Sequence, residues 1–205
     1  MSNVVALEGL LDSRRVWKGH GVQVRTGTQP TGYAELDERL PFGGWPEAAL
    51  TEILLPYTGI GDIKLLWPTL ARLTQTGKRV TLIAPPYVPY PQAWIAAGVD
   101  MDLVGIVEAK GRETLWAAEQ CLRSGSCGAV LCWPERADDK ALRRLQVAAE
   151  TGQTLAFVYR SLEEVANPSP AALRLVIEPS PLQLRILKCR GGQPIALPLP
   201  AAAWR

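Results

Sequence analysis

Histidine is almost missing from this chain: one residue in 205, His20. It sits in "KGHG" with no nucleophile beside it, and no G-x-S-x-G occurs. A hydrolase relay therefore has no footing, and His20 reads as a surface loop residue. Cysteine is sparse as well. Cys121, Cys127, Cys132 and Cys189 form no C-x-x-C pair, and His20 is remote from them. That spacing excludes a zinc site and leaves reduced thiols of a cytoplasmic protein as the expectation. Long apolar runs are lacking too. None reaches the ~18 residues a membrane span needs, and "MSNVVALEGLLDSRRVWKG" carries acidic residues where a secretory signal would be apolar. A net charge of +2 gives no field that announces a nucleic-acid binder, though local basic patches are compatible with it. No paired carboxylates suggest glycosidase chemistry.

What is present is an ordinary globular composition, 47% hydrophobic and 20% charged. It suffices for one domain with a sizeable core and a small appendage. Residues 1–20 suit a short helix. "AELDERL" can make two helical turns, and "GGWP" then breaks the chain. From residue 48 the pattern is regular. "ALTEILL", "KRVTLIA", "DLVGIVEA", "GAVLCW" and "QTLAFVYR" read as strands. Between them "DIKLLWPTLARLTQTG", "YPQAWIAAG", "RETLWAAEQCLRSG" and "ADDKALRRLQVAAETG" read as helices. Asp62 is the expected N-cap of the first, and Pro68 within it predicts a kink or a late start. Apolar strands alternating with helices imply a parallel sheet covered on both faces. After "EEVANPSPAA" the grammar changes: "LRLVIEPSPLQLRILKCRGG" predicts an antiparallel hairpin, and the proline-rich tail reads as extended or loose. The resulting division is an N-terminal segment (1–24), an α/β core (25–166), a hairpin continuing the same domain (167–195) and a flexible tail (196–205).

"LLPYTGIGDIKLL" has the outline of a phosphate loop, with Gly59 and Gly61 as its flexible points. A working loop follows its last glycine with Lys-Ser/Thr, which reach the phosphates and Mg²⁺. Here Asp62-Ile63 stand instead. A carboxylate ~4 Å from a polyphosphate repels it by several kcal/mol in a partly buried site. The second strand ends in Pro85-Pro86-Tyr87 and the fourth in Trp133-Pro134, where a water-positioning acid and a Mg²⁺-binding aspartate would be needed. Glu135 comes two residues late and reads as a loop carboxylate. The expectation is a non-catalytic protein with no cofactor and no metal.

"PTGYAELDERLPFGGWPEAALTEILLPYTGIG" resembles the opening of RecA-type recombinase cores. Together with "LRSGSCGAVLCWPE", "AAETGQTLAFVYR" and "LQLRILKCRGGQP" it is similar to the ImuA family, RecA-like and SulA-related proteins of a bacterial mutagenesis cassette. The resemblance spans roughly residues 25–195. It implies a RecA-like three-layer core with a mainly parallel sheet. It also implies an SOS-induced accessory role in error-prone translesion synthesis, beside ImuB (an inactive Y-family polymerase relative), RecA and an error-prone C-family polymerase. DNA and a second copy of the chain are further candidate partners. The alternative in the same superfamily is a SulA-like inhibitor of FtsZ.

A protein without catalysis acts through surfaces. The hairpin and tail carry Arg174, Arg185, Lys188, Arg190 and Arg205 against Glu178, a patch suited to phosphates or an acidic partner. Seven tryptophans are many for this length. Trp45 beside its glycines, Tyr57 in the loop and Trp204 on the tail are candidate contact residues. Trp67, Trp94 and Trp116 lie at helix-face spacing, which predicts core positions.

Overall fold

The computed structural model describes residues 29–198. The expected N-terminal helix, His20 and Trp204 lie outside the described residues. A single helical turn, α1 (Ala34–Asp37), is followed by strand β1 (Leu50–Leu55) and a 3₁₀ turn at Asp62–Leu66. The parallel part then runs α2 (Trp67–Gln75), β2 (Arg79–Ile83), α3 (Pro91–Ala96), β3 (Val104–Val107), α4 (Arg112–Arg123), β4 (Cys127–Cys132), α5 (Asp139–Gly152) and β5 (Leu155–Ser161). A 3₁₀ turn (Leu162–Ala166) leads to β6 (Leu173–Pro179), β7 (Leu182–Cys189) and β8 (Ile195–Pro198).

One eight-stranded sheet results, in the order β3-β2-β4-β5-β1-β6-β7-β8. Strands β1 to β6 run parallel, and β7 and β8 are antiparallel to their neighbours. The predicted hairpin is β6–β7. Its first strand does more than turn back: it docks parallel to β1, with Glu52 level with Arg174. The tail departs from the expectation at its start, because Ile195–Pro198 pairs with β7 as an edge strand. Two prolines bracket that segment at positions 194 and 198, and an edge tolerates them since one side of the strand needs no ladder.

Strand alternation sends side chains to two cores. Ile53, Leu82, Leu131, Phe157 and Leu175 meet Leu70, Leu73 and Trp94 of α2 and α3. Leu50, Ile83, Val130 and Val158 meet Ala118 and Leu122 of α4 and Leu142 and Leu145 of α5. This is the three-layer arrangement that near-continuous apolar strands require. Pro68 gives the late start: residues 62–66 are 3₁₀, and the α-helix begins at Trp67 with proline in its first turn, where its missing N–H is harmless. Asp138 caps α5, its Oδ1 accepting the Ala141 N–H at 2.7 Å.

The last turn of α5 packs hard against the end of α4. A Cβ on Gly152 would lie 1.8 Å from the Leu122 carbonyl oxygen. Gly152→Ala is expected to destabilise the domain by about 2–3 kcal/mol, because neither backbone can move without disturbing the α4–α5 core. Thermal denaturation followed by circular dichroism measures the loss.

Candidate functional site: the cleft at the carboxyl ends of the strands

In open α/β sheets, ligands bind beyond the carboxyl ends of the strands. A cleft of about 870 Å³ opens there. Its walls come from all five strands of the alternating core: Tyr57 and Thr58 after β1, Pro85 and Pro86 after β2, Glu108 and Lys110 after β3, Trp133 and Glu135 after β4, and Tyr159 and Arg160 within β5. A second hollow of about 270 Å³ adjoins it through Pro85, Pro86, Val88 and Trp133, and reaches Gly59, Asp62, Trp67 and Tyr90.

The loop keeps the bend of a phosphate cradle. Gly59 and Gly61 both hold left-handed backbone, at φ 85° and 83°, which only glycine adopts readily. Its contents are different. Asp62 is buried, and its burial raises the carboxyl above the usual carboxylate range, while hydrogen bonds from the backbone N–H groups of Asp62 and Gly59 pull in the opposite direction. The side chain is thus buried at the head of the 3₁₀ turn, inside the bend that an anion would occupy. It is not the N-cap expected of it, because α2 begins five residues later, after Leu66, with no side-chain cap. Tyr87 closes the loop from outside: a Cβ on Gly59 would be 3.2 Å from the Tyr87 ring, and Thr58 Oγ1 lies 3.4 Å from the Tyr87 hydroxyl. Lys64 is turned away, its Nζ lying 5.7 Å over the Trp67 ring.

The Asp62 carboxyl has a stability consequence with a definite sign. Its folded pKa is raised above the ordinary 3.8. The native state therefore holds the proton more tightly, and stability is lost as pH rises through the folded pKa. Asp62→Asn should raise the midpoint of thermal unfolding at neutral pH, and the gain should vanish below the ordinary carboxylate value. A melting series from about pH 3 to 7.5 reads this directly.

Deeper in the cleft, Trp133 stacks on Tyr159, rings 4.6 Å apart and 4° from parallel. Burial, and secondarily the nearby Asp62 charge, push the Tyr159 hydroxyl well above its usual range. That hydroxyl finds no hydrogen-bond partner among the described residues. The rim is aromatic and open: Tyr57, Tyr87 and Tyr90 are each 61–66% exposed, and Val88 is 88% exposed. Ala84, which leads β2 into this rim, holds φ 50°, a strained conformation for alanine.

Several sequence expectations need correction. Trp45 is no contact residue. It is wholly buried, its indole N–H donating to Thr69 Oγ1 at 2.8 Å and its ring meeting Phe157 edge-on at 5.2 Å. The "GGWP" turn folds inward because Gly44 lets the chain pass against Gln29, whose carbonyl would be 2.1 Å from a Cβ there. Arg174 is not part of a surface patch either. It is buried, with Nε 2.6 Å from Glu52 Oε2. Arg185 is half-buried and bridges to Glu178 at 3.0 Å. Of the hairpin cations, Lys188 and Arg190 stay exposed. Partial burial, then the charges of Arg174 and Arg190, hold the Lys188 ammonium below the usual lysine range. Trp94 is core as expected and Trp67 is half-buried, but Trp116 is 65% exposed. Tyr57 is exposed as expected.

The sequence reading missed Glu52. It is fully buried at the centre of the sheet and holds two arginines, with Arg160 Nη1 at 2.5 Å from Oε1 and Arg174 Nε at 2.6 Å from Oε2. Arg160 also reaches Glu164 at 2.8 Å and the Ala137 carbonyl at 2.7 Å. This network ties β1, β5 and β6 to the floor of the cleft, where Arg160 lines the wall.

Among the described residues no cluster of His, Cys, Asp and Glu could hold a metal ion, and no helix is long and apolar enough to cross a membrane. The chain is an α/β protein with a mostly parallel eight-stranded sheet, a C-terminal antiparallel hairpin and an aromatic cleft at the strand ends. No protein-family model matches it, and no curated protein matches it. Among solved structures it is similar to the crystal structure of SulA from Pseudomonas aeruginosa. The two share 28% sequence identity over 57% of this chain and 99% of that chain, with a TM-score of 0.46.

Proposed function

We propose that this protein is a non-catalytic accessory factor of SOS-induced, error-prone translesion DNA synthesis, and that its cleft docks a protein partner instead of a nucleotide. The observation that carries the reading is the phosphate loop filled from within. Asp62 is buried in the loop where a lysine would have to reach a phosphate, and Tyr87 lies against Gly59 where a ligand would enter. The aromatic rim supports protein docking, since exposed tyrosines around an apolar hollow make interface hot spots. The resemblance to the ImuA family names the partners: ImuB, RecA and the error-prone C-family polymerase complex. The site of action is the cytoplasm, at the nucleoid after DNA damage.

A pairwise binding screen tests this. Immobilised protein is presented in turn with ImuB, RecA and FtsZ. Binding of ImuB, weakened by Tyr57→Ala with Tyr87→Ala, supports the reading. Binding of FtsZ alone would replace it with the division-inhibitor reading.

A further inference from the structure

The start of α4 and the start of α5 share a notch of about 480 Å³, lined by Arg112, Leu115, Arg136, Asp138, Ala141 and Arg144. Three arginines thus line one hollow. Two of the acids nearby are engaged, while Glu113 and Glu135 are exposed and make no ion pair among the described residues. Asp138 spends an oxygen on the Ala141 N–H at 2.7 Å. Glu119 is shared between Arg123 at 2.9 Å and Arg144 at 3.5 Å. Arg112 and Arg136 make no ion pair among the described residues, and both are exposed. Two longer helices begin here, so their amide dipoles add to the positive potential. An anion is the ligand this arrangement suits, and arginine forks match phosphate oxygens in pairs.

A second observation decides which anion. Trp116 stands one helical turn beyond Arg112, on the same side of α4, and is 65% exposed. The buried stripe of α4 is Thr114, Ala118 and Leu122, so the indole contributes nothing to the core. A large aromatic face left in solvent beside a cluster of arginines is the combination that binds unpaired bases: the cations follow the backbone and the ring stacks on a base. Duplex DNA has no free base face to offer, and an acidic peptide has no flat ring to stack.

We propose that the α4–α5 notch is a single-stranded nucleic-acid site, with Arg112, Arg136 and Arg144 holding successive phosphates and Trp116 stacking a base. It shares no lining residue with the docking cleft, although Lys110, Thr114 and Glu135 of the cleft neighbour it in sequence, and it does not depend on the partner reading.

The test is fluorescence anisotropy of a labelled oligothymidylate titrated with the full chain at several salt concentrations. The wild type should bind at low salt, with affinity falling as salt rises. Arg112→Glu with Arg136→Glu should weaken binding about tenfold or more and flatten the log–log salt slope by about 1.4, two phosphate contacts at ~0.7 each. Trp116→Ala should weaken binding about fivefold or more and leave the slope unchanged, because stacking releases no counterions. Tyr57→Ala, in the cleft, should bind the oligonucleotide like the wild type. Unfolding midpoints close to wild type show that the variants fold, as expected of exposed positions. The proposal is overturned if the wild type gives no anisotropy change at low salt, or if both notch variants bind undiminished. It is equally overturned if duplex DNA or polyglutamate competes as well as unlabelled oligothymidylate, since either would assign the notch to a different partner.

Discussion

Replacing Glu52 with alanine is expected to destabilise the domain by about 3–5 kcal/mol, the loss seen when one partner of a buried charge pair is removed. The size follows from what is left behind. Glu52 is fully buried and answers two arginines that are themselves buried. Without it, Arg174 retains the carbonyls of Val165 and Glu164 at 3.3 and 3.2 Å, and Arg160 retains Glu164 and Ala137. Arg160 then keeps one partly exposed carboxylate, Glu164, and Arg174 is left with carbonyl partners only. In a domain of this size the unfolding midpoint should fall by about 10 °C or more. Replacing Glu52, Arg160 and Arg174 together by apolar residues of similar volume should recover most of the loss, since a buried ion network is often worth no more than good apolar packing. Recovery would show that the penalty came from unpaired charge. A triple variant as unstable as Glu52→Ala would show that the network itself is needed to hold β1, β5 and β6 in register.

The second large effect is on binding. Changing Tyr57, Tyr87 and Tyr90 together to alanine should reduce affinity for the protein partner proposed for the cleft by about 100-fold or more, two hot-spot residues at ~2 kcal/mol each being sufficient. These rings are exposed, so stability should change little. Tyr87 is the exception to watch, because it lies against Gly59. A pull-down with ImuB, quantified by calorimetry, measures the change. Undiminished binding would move the interface elsewhere.

Much of the fold was legible because it rests on local pattern. The strands are apolar runs bounded by turn residues, and Pro68 announced the late start of α2. The degenerate loop was legible as well, since Asp62 stands where chemistry demands lysine. What the sequence concealed depends on contacts between distant residues. Arg174 reads as part of a basic hairpin until the sheet order sets it beside Glu52, 122 positions away. Trp45 reads as an exposed turn residue because nothing nearby in sequence foretells Phe157 and Thr69 as its neighbours. Trp116 could have been placed from its own helix. It lies two positions from Ala118, on the opposite side at about 3.6 residues per turn, and the small residues Thr114 and Ala118 mark the buried stripe. The pull of a tryptophan toward the core outweighed that periodicity. The notch could not be read at all, because Arg112 and Arg136 meet only through the packing of α4 on α5.

The most direct test of the account is a calorimetric titration of the protein with Mg-ATP. A loop that holds its own Asp62 carboxylate should give no heat beyond dilution at millimolar nucleotide. Saturable binding that Lys64→Ala abolishes would contradict the account and mark the protein as a nucleotide-dependent machine.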